Sequence, residues 1–160
     1  MTSNVPFVPL PGGCHCSKVR FRMESAPIIT HCCHCKNCQK ASGSAFRINV
    51  MVETRNLVLV QGEVQAFNAD NGHKAFHCVA CHSRVWLHIP HLGEGVALVP
   101  VGLFDEGERL PPEAHYFTRS KHPWVVVPED VPSFEALGHP NKPGAAERIQ
   151  ATLGSVSSRM

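Results

Sequence analysis

The sequence predicts a mainly β fold, with short strands in sandwiched or barrel-like sheets and one short helix after its densest cysteine cluster. Three observations carry this expectation. Short apolar and β-branched segments recur along most of the chain, punctuated by Gly and Pro. Asn71-Gly72 stands between two such segments, and Asn-Gly is the pair that best tolerates the positive φ of a tight hairpin turn. Apolar residues at helical spacing are nearly absent before the C-terminal tail.

Gly12-Gly13 is expected to turn the chain into Cys14-His15-Cys16, after which residues 18–23 alternate charged and apolar side chains as an amphipathic strand does. A second strand, 28–33, runs into the cysteine cluster. Residues 36–41 form one or two helical turns stopped by Gly43, with Lys36 and Lys40 on one face. Strands then follow at 45–53, 57–61, 64–69, 73–78, 84–89, 95–104, 115–119 and 124–127. The tail differs: 144–153 reads as a short helix and 154–160 as disordered. The expected division is an N-terminal extension over 1–11, a zinc-binding β domain over 12–137 and the tail over 138–160.

A chain of 160 residues buries roughly 70% of its unfolded surface, so it has a core without staples. Its 8 cysteines are too few for a disulfide scaffold. The Pro-rich start has no apolar run of signal-peptide length, which points to a cytoplasmic setting where thiols stay reduced. The longest apolar run, near residues 95–104, is too short to span a bilayer, so no membrane partner is expected. A net charge of +2 with neutral histidines argues against a nucleic-acid partner. Self-association into a homo-oligomer is left open by the sequence.

Reduced cysteines in clusters point to metal. Cys33, Cys35 and Cys38 spell C-x-C-x-x-C, whose sulfurs can converge on one centre, as zinc held by thiolates at about 2.3 Å requires. Structural zinc sites close with four protein ligands, whereas catalytic ones keep three and leave a position for water or substrate. Cys32, His31, His34 and His77 are the candidates for a fourth ligand here. Alternation along 28–33 sends Cys32 and Cys33 to opposite faces, so Cys32 reads as a small buried side chain. His34 reads as solvated or bonded to backbone. Cys14 and Cys16 with Cys78 and Cys81 supply four thiolates, a closed structural zinc that joins the first strand to the middle of the chain. Two Zn²⁺ per chain follow from this division.

The order Gly13-Cys14-His15-Cys16, Cys33-His34-Cys35-Lys36-Asn37-Cys38 with Gly43 and Phe46, and Phe76-His77-Cys78-Val79-Ala80-Cys81 resembles the glutathione-dependent formaldehyde-activating enzyme family. The likeness continues through Gly102-Leu103-Phe104-Asp105, Pro112-Glu113-Ala114-His115 and Ser120-Lys121-His122-Pro123-Trp124. Centromere protein V is among the relatives of that family. The resemblance implies a mainly β zinc fold with one structural four-cysteine zinc and one catalytic three-cysteine zinc. It also implies formation of S-hydroxymethylglutathione from formaldehyde and glutathione, a carbon-sulfur lyase activity. The chain departs from the pattern at two places: His82 replaces the glycine that usually follows the last cysteine, and Gln39-Lys40 replaces a frequent arginine pair.

The residues support a chemistry of their own. A zinc held by Cys33, Cys35 and Cys38 with one open position would take the sulfur of a small thiol such as glutathione and hold it beside an aldehyde carbon. Lowering a thiol pKa from about 8.5 to about 7 raises its thiolate fraction roughly fifteenfold, and lost nucleophilicity returns about fivefold of that. Positioning therefore has to supply most of any acceleration. Lys40 and Lys121 are candidates for a substrate carboxylate, and Trp124 for a pocket wall. The competing readings are a zinc-stabilised binding module in which both metals are structural, and a thiol redox sensor with metal-free, exposed cysteines.

Overall fold

Alternating side chains must bury one face of each strand, and the pairing of strands decides which face that is. The computed structural model describes residues 6–138 and 142–156. Among them, β1 (Leu10–Gly13), β2 (Arg20–Met23) and β5 (Leu57–Gln61) form an antiparallel three-stranded sheet in the order β1-β2-β5. Seven further strands are β3 (Ile29–Cys33), β4 (Arg47–Glu53), β6 (Val64–Asn68), β7 (Lys74–Cys78), β8 (Arg84–Ile89), β9 (Gly93–Pro100) and β10 (Ala114–Tyr116). They run in the order β10-β3-β4-β9-β8-β7-β6, antiparallel throughout except for β10 beside β3. Two α-helices, α1 (Lys36–Ser42) and α2 (Ala145–Val156), and four short 3-10 turns complete the elements among the described residues. The fold is mainly β, as the sequence predicts.

The period of two sorts the large sheet into two faces. Val50 and Val52 of β4 and Ala97 and Val99 of β9 pack with Leu10, Phe21 and Met23 in a core shared by the two sheets. Met51, Val96 and Leu98 point the other way and pack with Ile29, Tyr116 and, from α2, Ala145 and Ile149. Arg148 of α2 fixes the helix there. Its Nε and Nη2 each donate to the Glu53 carboxylate at 2.7 Å, and its guanidinium also donates to the carbonyls of Ala26 and Pro27. Glu53 is buried, so this pair is sheltered from solvent at its acidic end.

Local chemistry corrects several expected boundaries. Leu10 to Gly13 is a strand rather than a turn, and Gly12 is needed in it because a Cβ there would meet the Leu103 carbonyl and the Phe21 ring at 2.5 Å. The strand expected over 95–104 ends at Pro100, after which Val101–Leu103 is a 3-10 turn. The strand expected over 115–119 ends at Tyr116, because Phe117 turns left-handed at φ 57 and leads into another 3-10 turn. Residues 124–127 are not a strand: the Val125 N–H closes a turn onto the His122 carbonyl around Pro123, and Trp124 and Val126 stand exposed. Helix α2 continues through residues 154–156, where disorder is expected from the sequence; 157–160 lie outside the described residues, as do 1–5 and 139–141. Among the described residues, no helix is long and apolar enough to cross a membrane.

Candidate metal centre and active site

Two cysteine clusters form where strands end. Cys14 and Cys16 follow β1, while Cys78 closes β7 and Cys81 sits in the turn before β8. Their four sulfurs lie within 4.8 Å of one another. Cys14 and Cys16 are 3.5 Å apart at sulfur, and Cys16 and Cys78 are 3.8 Å apart. Sulfurs sharing a tetrahedral zinc at about 2.3 Å are about 3.8 Å apart, so the spacing suits that ion. Contact with Ser83, 3.2 Å from its sulfur, comes first in bringing the Cys81 thiol down to about 5. The thiolate form that a metal needs is thereby favoured.

Both turns share one backbone device. Ser17 follows Cys16 at φ 62, and His82 follows Cys81 at φ 61. The Ser17 N–H returns to the Cys14 carbonyl and the His82 N–H to the Cys78 carbonyl, each at 3.0 Å. A left-handed residue folds each loop back over its sulfurs, so His82 performs the turn for which glycine is better suited.

The second cluster is local. Cys33 ends β3, Cys35 caps α1 and Cys38 lies in its first turn. The Cys38 N–H donates to Cys35 Sγ at 3.3 Å, so the sulfur acts as the helix cap. The three sulfurs fall within 4.8 Å, and among the described residues no fourth His, Cys, Asp or Glu joins them. The contact with Cys38, followed by burial, pushes the Cys33 thiol up; burial comes first in raising Cys35. Thiolates gathered this closely repel one another, and a cation between them compensates that charge. Gln39 anchors the helix, its amide donating to the carbonyls of His34 at 2.7 Å and Ser120 at 3.0 Å.

A cavity of about 260 Å³ opens on this cluster, and Cys33, Cys35 and Cys38 all line it. Its floor is built by alternation and register. His31 and Cys33 share one face of β3, and across the ladder stand Asn49 and Arg47 of β4, opposite them in turn. Arg84 of β8 and Tyr116 of β10 add to the wall. His31 is buried, and that burial lowers its pKa to about 4, so its ring is neutral at neutral pH. A neighbouring apolar cavity of about 310 Å³ shares His31 and Tyr116 and reaches Ala146 and Ile149 of α2.

The remaining candidates fall elsewhere. His31 is not within the Cys33 cluster, and His77 Nδ1 pairs with the His82 carbonyl at 2.9 Å. Cys32 is buried on the opposite face of β3, its sulfur 3.5 Å from His34 Nε2. His34 is not solvated: it is fully buried, with Nε2 3.0 Å from His115 Nδ1. The reason is the parallel pairing that lays β10 beside β3 and brings in His115. Lys40 is exposed on α1, and Trp124, 71% exposed, stacks on His122 with ring centroids 5.0 Å apart. Lys121 lies near His34. The residues lining the cavity include none of these three. Arg47 and Arg84, which the sequence reading does not single out, are the cations that do line it. The signal for Arg47 is its place opposite Cys33, visible only once the β3–β4 register is known.

Comparison with known proteins identifies the family. The family model described as "Glutathione-dependent formaldehyde-activating enzyme" matches residues 9–120. A protein of Halomonas elongata, provisionally named a glutathione-dependent formaldehyde-activating enzyme, is 30% identical over 128 residues, covering 74% of this chain and 80% of its own. A crystal structure of a Rhodobacter sphaeroides protein superposes on 78% of this chain and 100% of its own, with a TM-score of 0.50 at 16% identity, a likeness of fold alone. The matched span holds β1 through β10 and both cysteine clusters, and on that ground the chain belongs to the glutathione-dependent formaldehyde-activating enzyme family.

Proposed function

We propose that the chain is a zinc-dependent carbon-sulfur lyase that acts on the adduct of formaldehyde with a small thiol such as glutathione. Cys33, Cys35 and Cys38 would hold the catalytic zinc, and Cys14, Cys16, Cys78 and Cys81 a structural one. The observation that carries this reading is the three-sulfur cluster without a fourth protein ligand among the described residues, beside a cavity that all three cysteines line. The binding-module reading needs a closed second site, and the redox-sensor reading needs exposed metal-free thiols. Cys33 is buried and Cys35 and Cys38 are half-buried.

When bound, zinc would lower the pKa of a substrate thiol and fix its sulfur in the cavity. Addition to formaldehyde forms one carbon-sulfur bond, breaks the carbonyl π bond and leaves the thiol's proton on the new hydroxyl oxygen, with no net oxidation. The chain's own residues supply enclosure and orientation. His31 presents a neutral ring on the cavity wall. Tyr116, its ring tilted 36° against that of His31 with centroids 5.1 Å apart, keeps the ring in place. Positioning of this kind carries the larger share of the acceleration.

Cys35→Ser tests the proposal. Serine is a preferred helix cap, so α1 keeps its start while the cluster loses a sulfur. The expected outcome is loss of thiol-dependent turnover, read by exchange spectroscopy on formaldehyde with glutathione after subtraction of the spontaneous rate, with an unchanged circular dichroism spectrum. A fully zinc-loaded wild-type protein with no rate above background for several thiols would overturn the enzyme reading in favour of the binding module.

A further inference from the structure

We infer that Arg47 and Arg84 form an anion subsite beside the three-cysteine cluster, so that the cavity selects small thiols bearing a carboxylate over neutral thiols. The inference rests on reading the cluster as a thiol site, and it names the feature by which the thiol is chosen. Arg47 stands on β4 directly opposite Cys33, is 8% exposed and lines the cavity, and its Nε is buried without a partner. Arg84 opens β8, is half-buried and lines the same cavity. Arg20, Arg22, Arg109 and Arg148 each pair with a carboxylate, whereas neither cavity arginine does so among the described residues. No Asp or Glu lines the cavity.

Two guanidiniums held close together away from water are costly unless something compensates them. That cost is visible in Arg47, which burial first, and then the charge of Arg84, brings down to about 10. No acidic side chain among the described residues lines the cavity, so a carboxylate partner for either guanidinium has to come from a ligand. A guanidinium fork matches a carboxylate through two parallel hydrogen bonds, a geometry that a neutral amide does not match. Arg47 stands opposite Cys33 in the β3–β4 register, and both arginines share one cavity with Cys33, Cys35 and Cys38, so the sulfur and the carboxylate of one cysteine-type thiol are placed to meet cluster and guanidinium together.

The test is calorimetric titration of the zinc-loaded protein with three probes: N-acetylcysteine, its amide, and S-methyl-N-acetylcysteine, which keeps the carboxylate and lacks the thiol. The acid is expected to bind roughly tenfold to a hundredfold more tightly than the amide, the range of a charge-assisted hydrogen bond. Arg84→Met, with wild-type zinc content and melting, should reduce that ratio to within about twofold and abolish binding of the S-methyl acid. Arg84→Lys keeps the charge without the fork and should retain part of the ratio, which serves if the methionine variant does not fold. Equal binding of acid and amide, or a ratio unchanged in either variant, would overturn the subsite while leaving the thiol reading intact. Arginine-dependent binding of both acids with equal affinity, and none of the amide, would support the subsite and remove the thiol reading. Absence of binding by all three overturns both.

Discussion

The two cysteine clusters use the same ligand atoms in opposite ways. The four-cysteine cluster draws its sulfurs from two turns, with Cys16 and Cys78 62 residues apart, and so ties the edge of the small sheet to the large one. The three-cysteine cluster lies within six consecutive residues at one strand-helix junction. In the loop-closure view, fixing the long loop stabilises the fold by about 4 kcal/mol and the short one by about 2 kcal/mol. The first cluster is closed by four sulfurs, and the second meets a cavity with three. On the reading proposed above, identical chemistry becomes a staple or a reactive centre according to how much chain it closes and what it faces.

Removing a sulfur from each cluster is the strongest way to break that contrast. Cys78→Ser should cost the fold itself, since it forfeits the long closure together with most of the binding energy of a structural metal. A Cys78→Ser protein with wild-type zinc content and melting would refute the assignment. A smaller effect is expected at α2, which covers only the side of the sheet that carries the cavity. Arg148→Met leaves the buried Glu53 carboxylate unpaired and should destabilise by about 3 kcal/mol in urea unfolding, near the lower end for a broken sheltered pair because Arg148 is partly solvated. Retained zinc stoichiometry in that variant would separate helix docking from both clusters.

Mild chelation should remove one zinc per chain first, from Cys33, Cys35 and Cys38, with a fall in melting temperature of roughly 5 °C for the short closure lost. Metal analysis alongside calorimetry would show it, and departure of both ions together with the fold would mean that the sites are not distinct. The smallest effect concerns the turn at the staple. His82→Gly relieves a left-handed residue at φ 61, and even after glycine's greater unfolded-state entropy the expected gain is about 0.5 kcal/mol. A loss of stability would show that the His82 side chain contributes contacts that outweigh its backbone strain.

Much of this was legible in the chain itself, because local chemistry is written locally. Alternation along residues 28–33 places Cys32 and Cys33 on opposite faces whatever the strand pairs with, and the C-x-C-x-x-C spacing brings Cys33, Cys35 and Cys38 together across a single helical turn. The Gly and Pro punctuation and Asn71-Gly72 define the strands between which β6 and β7 form their hairpin. What only the tertiary structure decided depends on partners distant in sequence. Parallel pairing of β10 with β3 buries His34 against His115, the β3–β4 register sets Arg47 opposite Cys33, and the fold carries Arg84 to the same wall. Trp124, by contrast, stacks on His122 and remains in solvent. Side-chain type and spacing determine which ligands can converge; which charges face the resulting cavity is fixed by strand register and sheet order, and neither is encoded in any one segment.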